Sequence, residues 1–347
     1  MIYINARFLT QKLTGVQRFA FEISRALKKI RNDLVFVSPP GIVDRGMADE
    51  ISPVIIGKYS SFIWEQIELP LYLRRQGYPL ILNFGNTAPL LYSPKIVTIH
   101  DLAVFRYPES FSKLFTIYYR FLLPRIAKGA VKIFTVSEFS KREIVNILGI
   151  SPEKVEVVKN AVSQGIKCLE SSKRENFILT VSSLDPRKNL LRLIKAFEAG
   201  HFRDVKLVIA GASSGVFKKL GIKGASNIEL LGHVNDCRLS ELYSKAMVFV
   251  YPSIYEGFGI PPLEAMKCGC PVIVSDIPPH REVCGDAAYY VDPYSIESIK
   301  KGISKVLNDS ALRESLIKKG HERVKKFSWE KSAQKISGII DSVFNAR

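Results

Sequence analysis

Two glutamates, Glu256 and Glu264, bracket the stretch EGFGIPPLE with seven residues between them. The stretch follows the apolar run MVFVYPSIY, and its two prolines suit the first turn of a helix, where an amide hydrogen has no partner to lose. The glycines therefore belong to a strand-to-helix turn. In such a turn the backbone amides of Gly257, Phe258, Gly259 and Ile260 point at an anion, helped by the positive end of the helix. Carboxylates repel phosphate but accept charge-assisted hydrogen bonds from sugar hydroxyls. Together, amides and carboxylates fit a ligand that carries both phosphate and sugar.

Three further positions could take part. In VSSLDPRKNL, Arg187 and Lys188 offer adjacent cations to a diphosphate, the arginine as a fork and the lysine as a point charge. His100 and Asp101 end the apolar run KIVTIH, at the strand end where open α/β sheets bind ligands. Gly15, in LTGVQRFAFEI, precedes a helical pattern at a point where a glycine lets backbone approach a phosphate.

The elements that must hold these residues alternate along the chain. IYIN, LVFV, LILNF, KIVTIH and KIFTV in the first half, then FILTV, KLVIA, IELLG, MVFVY and PVIV in the second, read as buried strands separated by helical periods. Val16, Phe19, Ala20, Ile23, Leu27 and Ile30 predict an amphipathic helix starting near Gly15. Ser137 and Ser328 have the chemistry of N-caps for later helices. The polar stretch 162–176 lacks periodicity and reads as a linker, because the strand–helix alternation restarts after it. The expected fold class is α/β, with two doubly wound domains facing across a cleft.

Composition narrows the partners. A chain of 347 residues with 47% hydrophobic residues has enough apolar surface for two packed domains. Its net charge of +17 suits an anionic substrate, a membrane surface or nucleic acid, but no basic block or low-complexity arm supports the last. No run approaches a membrane span, and MIYINARFL has too short an apolar stretch for a secretory signal, so a cytoplasmic location is expected. The five cysteines and five histidines are dispersed, predicting neither a disulfide framework nor a metal site; Cys268 and Cys270 read as small residues at a helix end. FSKLFTIYYRFLLPRIAKG, residues 111–129, reads as a helix interrupted near Pro124, either a core helix or one resting on an anionic membrane through Lys113, Arg120, Arg125 and Lys128.

Glu, seven residues, Glu, with Gly-Phe-Gly and Pro between them, resembles the signature of the retaining nucleotide-sugar glycosyltransferases of family 4, which have the GT-B fold of two Rossmann-like domains. The Gly15 loop, TIHD, TVSEFSK, DPRKN, LLGHVND, the paired glutamates and FSWEKSA follow in the family's order, and HDLAVFRYPE is similar to bacterial mannosyl- and rhamnosyltransferases. The resemblance implies that Glu256 contacts the donor sugar, Glu264 the ribose, and Arg187 with Lys188 the departing diphosphate. It places His100 at the reaction centre and Gly232, His233 and Val234 by the nucleobase. It also implies domains at 1–162 and 163–327, acceptor-side and nucleotide-sugar-binding respectively, and a helix over 328–347 that crosses back to the first. VVKNAV departs from the family's Asn-Gly-Val-Asp at Ala161 and Ser163.

The expected activity is therefore metal-independent, retaining transfer of mannose or rhamnose from a nucleotide diphosphate to a glycan or lipid-linked acceptor in surface polysaccharide synthesis. A GDP-sugar is favoured over a UDP- or dTDP-sugar, and no other cofactor is implied. A nucleotide-sugar epimerase and a non-catalytic sugar-binding protein are the alternatives. A Rossmann oxidoreductase is disfavoured because no G-x-G-x-x-G follows the first strand.

Overall fold

The computed structural model describes residues 1–169, 173–183, 185–202, 204–211 and 227–345. The chain forms two compact units, Met1–Asn160 with Ser328–Arg347, and Ala161–Phe327.

The first unit is built on a seven-stranded sheet: β1 Ile2–Asn5, β2 Leu34–Ser38, β3 Val54–Ile55, β4 Leu80–Asn83, β5 Lys95–Thr98, β6 Lys132–Thr135 and β7 Val155–Val157, in the order β3-β2-β1-β4-β5-β6-β7. Each neighbouring pair is parallel. All four residues of β1, β4 and β5 are buried, as expected where helices cover both faces of a sheet. The helix Gly15–Ile30 buries Phe19, Ala20, Ile23 and Leu27 completely, whereas Ile30, in its last turn, is exposed.

The terminal helix Trp329–Asn345 packs on the same unit. Trp329 meets Phe19 edge-on with ring centroids 5.9 Å apart. Arg31 donates to Ser337 and Asp341 at 2.9 and 2.7 Å, and Ser332 donates to the Lys159 carbonyl at 2.7 Å. Ser328 Oγ accepts from the Lys331 amide, a capping bond. Ser137 likewise caps the helix Glu138–Leu148 by accepting from Ser140 N.

The second unit has six parallel strands, β8 Glu175–Val181, β9 Lys206–Ala210, β10 Ile228–Gly232, β11 Ala246–Tyr251, β12 Val272–Ser275 and β13 Tyr289–Val291, in the order β10-β9-β8-β11-β12-β13. Chain order thus reverses between β1 and β4 in one sheet and between β8 and β11 in the other. Loops leaving the carboxyl ends of such strands diverge and open a crevice for a ligand.

Several sequence expectations need correction. The strands β3, β7 and β13 go unseen in the hydrophobic pattern because each has only two or three residues and lies at a sheet edge. The segment 111–129 is not interrupted: Pro124 lies inside one helix, Lys113–Gly129, whose neighbouring Leu122, Leu123, Ile126 and Ala127 are buried and hold it in place. The supposed linker is tied to the second unit. Ile166 is fully buried, and the Lys167 and Leu169 amides donate to Ser240 and Ser244 hydroxyls, both at 3.0 Å. That course brings Cys168 to Cys268, and the two form a disulfide across 100 residues of sequence. Cys268 is the C-cap of the helix Ile260–Lys267, which is therefore anchored rather than merely ended there. Residues 175 and 176 already belong to β8. No helix among the described residues is long and apolar enough to cross a membrane.

Candidate active site

The second unit's crevice is assembled by two loops. After β8, Asp185 caps a short turn by accepting from the Arg187 amide at 2.9 Å, and Asn189 follows in the left-handed region at φ 60°. The Asn189 side-chain amide donates to the carbonyls of Pro252 and Pro293 at 2.9 and 2.7 Å. The Ile254 amide donates to the Arg187 carbonyl at 2.8 Å. The loops after β8 and β11 are thus bonded to each other by backbone and by a buried amide, which sets the side chains they carry.

Those side chains are Lys188 and Glu256. The Lys188 ammonium lies 2.6 Å from Glu256 Oε1 and donates to the Tyr251 hydroxyl at 3.0 Å, while that hydroxyl donates to the same Glu256 oxygen at 2.7 Å. Burial opposes the charge on both ions, but each outweighs that penalty for the other. The Lys188 pKa is raised and the Glu256 pKa lowered, so both stay charged. Burial, reinforced by Glu256, pushes the Tyr251 phenol up and keeps it a neutral donor.

Beyond Glu256 the chain turns through Gly257 and Phe258 into Gly259 at φ 95°, a conformation that favours glycine. Ile260 opens the helix, with Pro261 and Pro262 in its first turn. Phe258 is buried edge-on against Phe327 at 5.7 Å, anchoring the turn. Glu264, also buried, accepts from the Tyr243 hydroxyl at 3.1 Å.

His280 lies under this turn and was missed by sequence reasoning. It is fully buried on the helix Pro278–Cys284 and its Nδ1 donates to the Ser275 carbonyl at 3.0 Å. This leaves Nε2 as the unprotonated nitrogen, and it has no hydrogen-bond partner among the described residues. A Cβ at position 259 would stand 3.3 Å from the ring's Cδ2 and 3.4 Å from Nε2, so the imidazole supports the glycine turn from beneath. Burial pushes its pKa down to about 4, against the attraction of Glu256 and the Ser275 carbonyl. Tyr251, the other missed residue, is simply the last residue of an apolar strand. Neither residue belongs to a short motif.

The remaining candidates fall elsewhere. Arg187 is turned onto Asp185, its Nε 3.0 Å from both carboxylate oxygens, so the two adjacent cations are each compensated by a different acid. Gly232 ends β10 at φ 65° and accepts from the Gly211 amide at 2.6 Å, with His233 exposed and Val234 half-buried beyond it. In the first unit, Gly15 begins its helix with no atom within 4 Å of where a Cβ would stand, so nothing in the unit itself demands a glycine. His100 is buried after β5. Its Nε2 donates to the Phe84 carbonyl at 2.9 Å and its ring meets Phe19 edge-on at 4.9 Å. Burial lowers its pKa and keeps the imidazole neutral, with Nδ1 as the acceptor. No group of three or more His, Cys, Asp or Glu among the described residues could hold a metal ion.

In chemical terms the two loops of the second unit bring together an ammonium, a carboxylate and a phenol, next to the amides that lead into the helix Ile260–Lys267. This set can neutralise phosphate and orient hydroxyls.

Comparison with known proteins agrees along the whole length. The model for Glycosyltransferase Family 4 matches residues 13–164, and that for Glycosyl transferases group 1 matches residues 166–323. The O-antigen chain mannosyltransferase RfbU of Salmonella typhimurium is 30% identical over 326 residues, 87% of this chain and 90% of RfbU. O-antigen chain mannosyltransferase B of Escherichia coli is 29% identical, over 92% of this chain and 93% of its own. Among solved structures, Anabaena HepE in complex with UDP and glucose superposes with a TM-score of 0.78 at 17% identity, covering 98% of this chain and 99% of HepE. WaaG, a glycosyltransferase involved in lipopolysaccharide biosynthesis, gives 0.73 at 15% identity, covering 98% of this chain and 99% of WaaG. At those identities the structural likeness concerns the fold.

Proposed function

The chain belongs to the glycosyltransferases of family 4 and has their GT-B fold, and from that premise we propose that it transfers mannose from a GDP-sugar to a hydroxyl of a glycan or lipid-linked acceptor in surface polysaccharide synthesis. The observation that carries the reading is the Lys188–Glu256–Tyr251 cluster beside the Gly257–Ile260 amides, at the reversal point of the second sheet. The sugar is argued from the mannosyl activity named for two relatives that span about nine-tenths of the chain.

When the donor enters, its diphosphate competes with Glu256 for the Lys188 ammonium. The freed carboxylate then accepts from donor-sugar hydroxyls, held in place by the Tyr251 phenol. Lys188 and the amides of Gly257 to Ile260 stabilise charge on the departing diphosphate, the kind of electrostatic contribution that is usually the largest in such a reaction. Arg187 joins them by leaving Asp185, and Glu264 takes the ribose hydroxyls. Only Glu256 among these carboxylates is assigned to the sugar, so a double displacement through a second, close carboxylate is not part of the mechanism. Transfer with retention follows if the acceptor attacks from the face that the diphosphate leaves, with a donor phosphate oxygen accepting the acceptor's proton.

The first unit's helix Lys113–Gly129 adds a location to the reading. Leu114 is 82% exposed and Ile117 68%, with Phe115 and Phe121 also exposed, as are Phe62, Ile63 and Ile67 much earlier in the chain. Lys113, Arg120, Arg125 and Lys128 are exposed on the same helix. Apolar residues among cations suit the headgroup region of an anionic membrane.

The deciding experiment is incubation with GDP-mannose, UDP-glucose or dTDP-rhamnose and a lipid-linked oligosaccharide acceptor, with and without EDTA. The expected outcome is α-mannosylated product from GDP-mannose alone, formed equally with EDTA. Transfer from another donor would overturn the assignment of GDP-mannose, a β-linked product would overturn retention, and abolition by EDTA would overturn metal independence.

A further inference from the structure

A second polar cluster lies at the carboxyl edge of the first sheet, where chain order reverses between β1 and β4. Asn5 and Asn83 end these strands and are paired in register. Asn5 Nδ2 donates to Asn83 Oδ1 and to Glu65 Oε1, each at 3.0 Å. Glu65 is 1% exposed and sits on a turn of π-helix, Trp64–Glu68, a winding frequent at functional sites. Arg7 brings Nε to 3.3 Å from Glu65 Oε1, and its Nη2 donates to the Thr87 hydroxyl at 2.7 Å. That hydroxyl donates to Glu65 Oε1 at 2.9 Å. Tyr118 and Tyr119, on the helix Lys113–Gly129 and edge-on to each other at 5.4 Å, lie within electrostatic reach of this ion pair: burial raises both phenol pKa values, with Glu65 raising and Arg7 lowering them. Phe62 meets Tyr118 edge-on at 5.6 Å.

The bonding is one-sided. Every hydrogen bond to the Glu65 carboxylate falls on Oε1, so Oε2 accepts none among the described residues, and Arg7 Nη1 donates none. A buried ion pair adds little net stability over a packed apolar pair, so stability alone does not account for it. What remains is one unused donor and one unused acceptor beside aromatic rings.

We propose that Arg7, Glu65 and Thr87, together with Tyr118 and Tyr119, bind a neutral saccharide, the sugar end of the acceptor. A hydroxyl can donate to Glu65 Oε2 while it or its neighbour accepts from Arg7 Nη1, and a pyranose can lay its C–H face on a phenol ring. Because Glu65 compensates the guanidinium, attraction for phosphate is cancelled while hydroxyl recognition is kept. The acceptor is thus read here through its sugar and not through a diphosphate. This rests on the reading above that the acceptor is a glycan.

The test is saturation-transfer difference NMR on the full chain with methyl α-mannoside, methyl α-glucoside and methyl N-acetyl-α-glucosaminide, with binding of inorganic diphosphate followed by phosphorus NMR. Arg7→Gln, Thr87→Val and Tyr118→Leu are compared with the parent; circular dichroism and melting curves report that each variant's first unit is folded, and a GDP-induced thermal shift reports on the second unit. At least one methyl glycoside should bind the parent, and binding should weaken about tenfold or more in Arg7→Gln, the scale of losing one hydrogen bond to a charged group, with a smaller loss in the other two. If Arg7→Gln fails to fold, Thr87→Val and Tyr118→Leu carry the comparison. No glycoside binding to the parent, equal binding in the folded variants, or Arg7-dependent binding of diphosphate in place of glycoside would each overturn the proposal. A parent that binds glycoside but shows no response to GDP would instead count against the assigned donor and leave the saccharide site standing.

Discussion

Glu264 and Lys188 should separate by the kinetic constant each one moves. In the proposed role of Glu264 at the ribose, Glu264→Ala removes a contact to a part of the donor that does not change during reaction, so KM for the donor should rise with kcat little altered. In the proposed role of Lys188 at the diphosphate, Lys188→Ala removes charge stabilisation that grows as the diphosphate leaves, so kcat should fall by about 10²–10³-fold. Steady-state kinetics on both variants check this, and the reverse pattern would exchange the two roles. His280 gives a pH signature in the folded protein without ligand. Its pKa is about 4 folded against 6.5 for the free side chain, so between these values the unfolded chain binds the extra proton. The stability that His280 contributes is fully present above pH 6.5 and is lost as pH falls toward 4, about 3 kcal/mol in all. Melting curves from pH 7 to 4 should show this slope, and His280→Gln should flatten it.

The Gly259 turn and the helix Ile260–Lys267 act as one element, held at both ends. At the start, a side chain on residue 259 would meet the His280 ring and would also have to adopt φ 95°. Gly259→Ala should therefore cost about 1–2 kcal/mol from the left-handed backbone alone, plus a steric part. In a double-mutant cycle with His280→Ala only the steric part should be relieved, so chemical denaturation should give a coupling between the two sites smaller than the total cost. The far end is held by Cys168–Cys268, which closes 100 residues of chain and restricts the unfolded ensemble. Reduction should lower Tm, and Cys168→Ser should start from that lower Tm and no longer respond to reductant. A Tm that is indifferent to reductant in the parent would mean the bridge contributes nothing to holding the helix.

For the whole molecule, charge and exposed apolar surface act together. Each basic residue near an anionic surface contributes about 1 kcal/mol of attachment, and the chain carries a net +17. Two of the four helix cations have local partners: Arg120 donates to the Phe105 carbonyl, and Arg125 stacks over the Phe121 ring at 3.6 Å. Neutralising Lys113 and Lys128 should therefore remove binding with less damage to the helix than neutralising all four. Co-sedimentation should rise with the anionic lipid content of vesicles, fall with salt, and fall again in Lys113→Gln/Lys128→Gln and in Leu114→Ser/Ile117→Ser. Equal recovery in the supernatant with neutral and anionic vesicles at low salt would remove the membrane from the functional reading.

The sequence alone determined what depends on local order: the alternation of buried strands and amphipathic helices, the cap serines, and the helix start after Gly-Phe-Gly. These are legible because backbone geometry imposes periods of two and 3.6 residues, and because glycine and proline mark particular backbone conformations. Edge strands of two or three residues are too short to show a period. Only the tertiary structure decided which distant residues meet. Lys188 finds Glu256 because β8 and β11, separated in sequence, are neighbours in the sheet, and Asn5 reaches Glu65 because β1 ends beside that π-turn. The Cys168–Cys268 bridge and the position of His280 beneath Gly259 are likewise long-range contacts, set by packing against the second sheet. Motif reading could name Lys188 and Glu256 one at a time, but their partnership, the tyrosine between them and the unused oxygen of Glu65 exist only once the strands have taken their order.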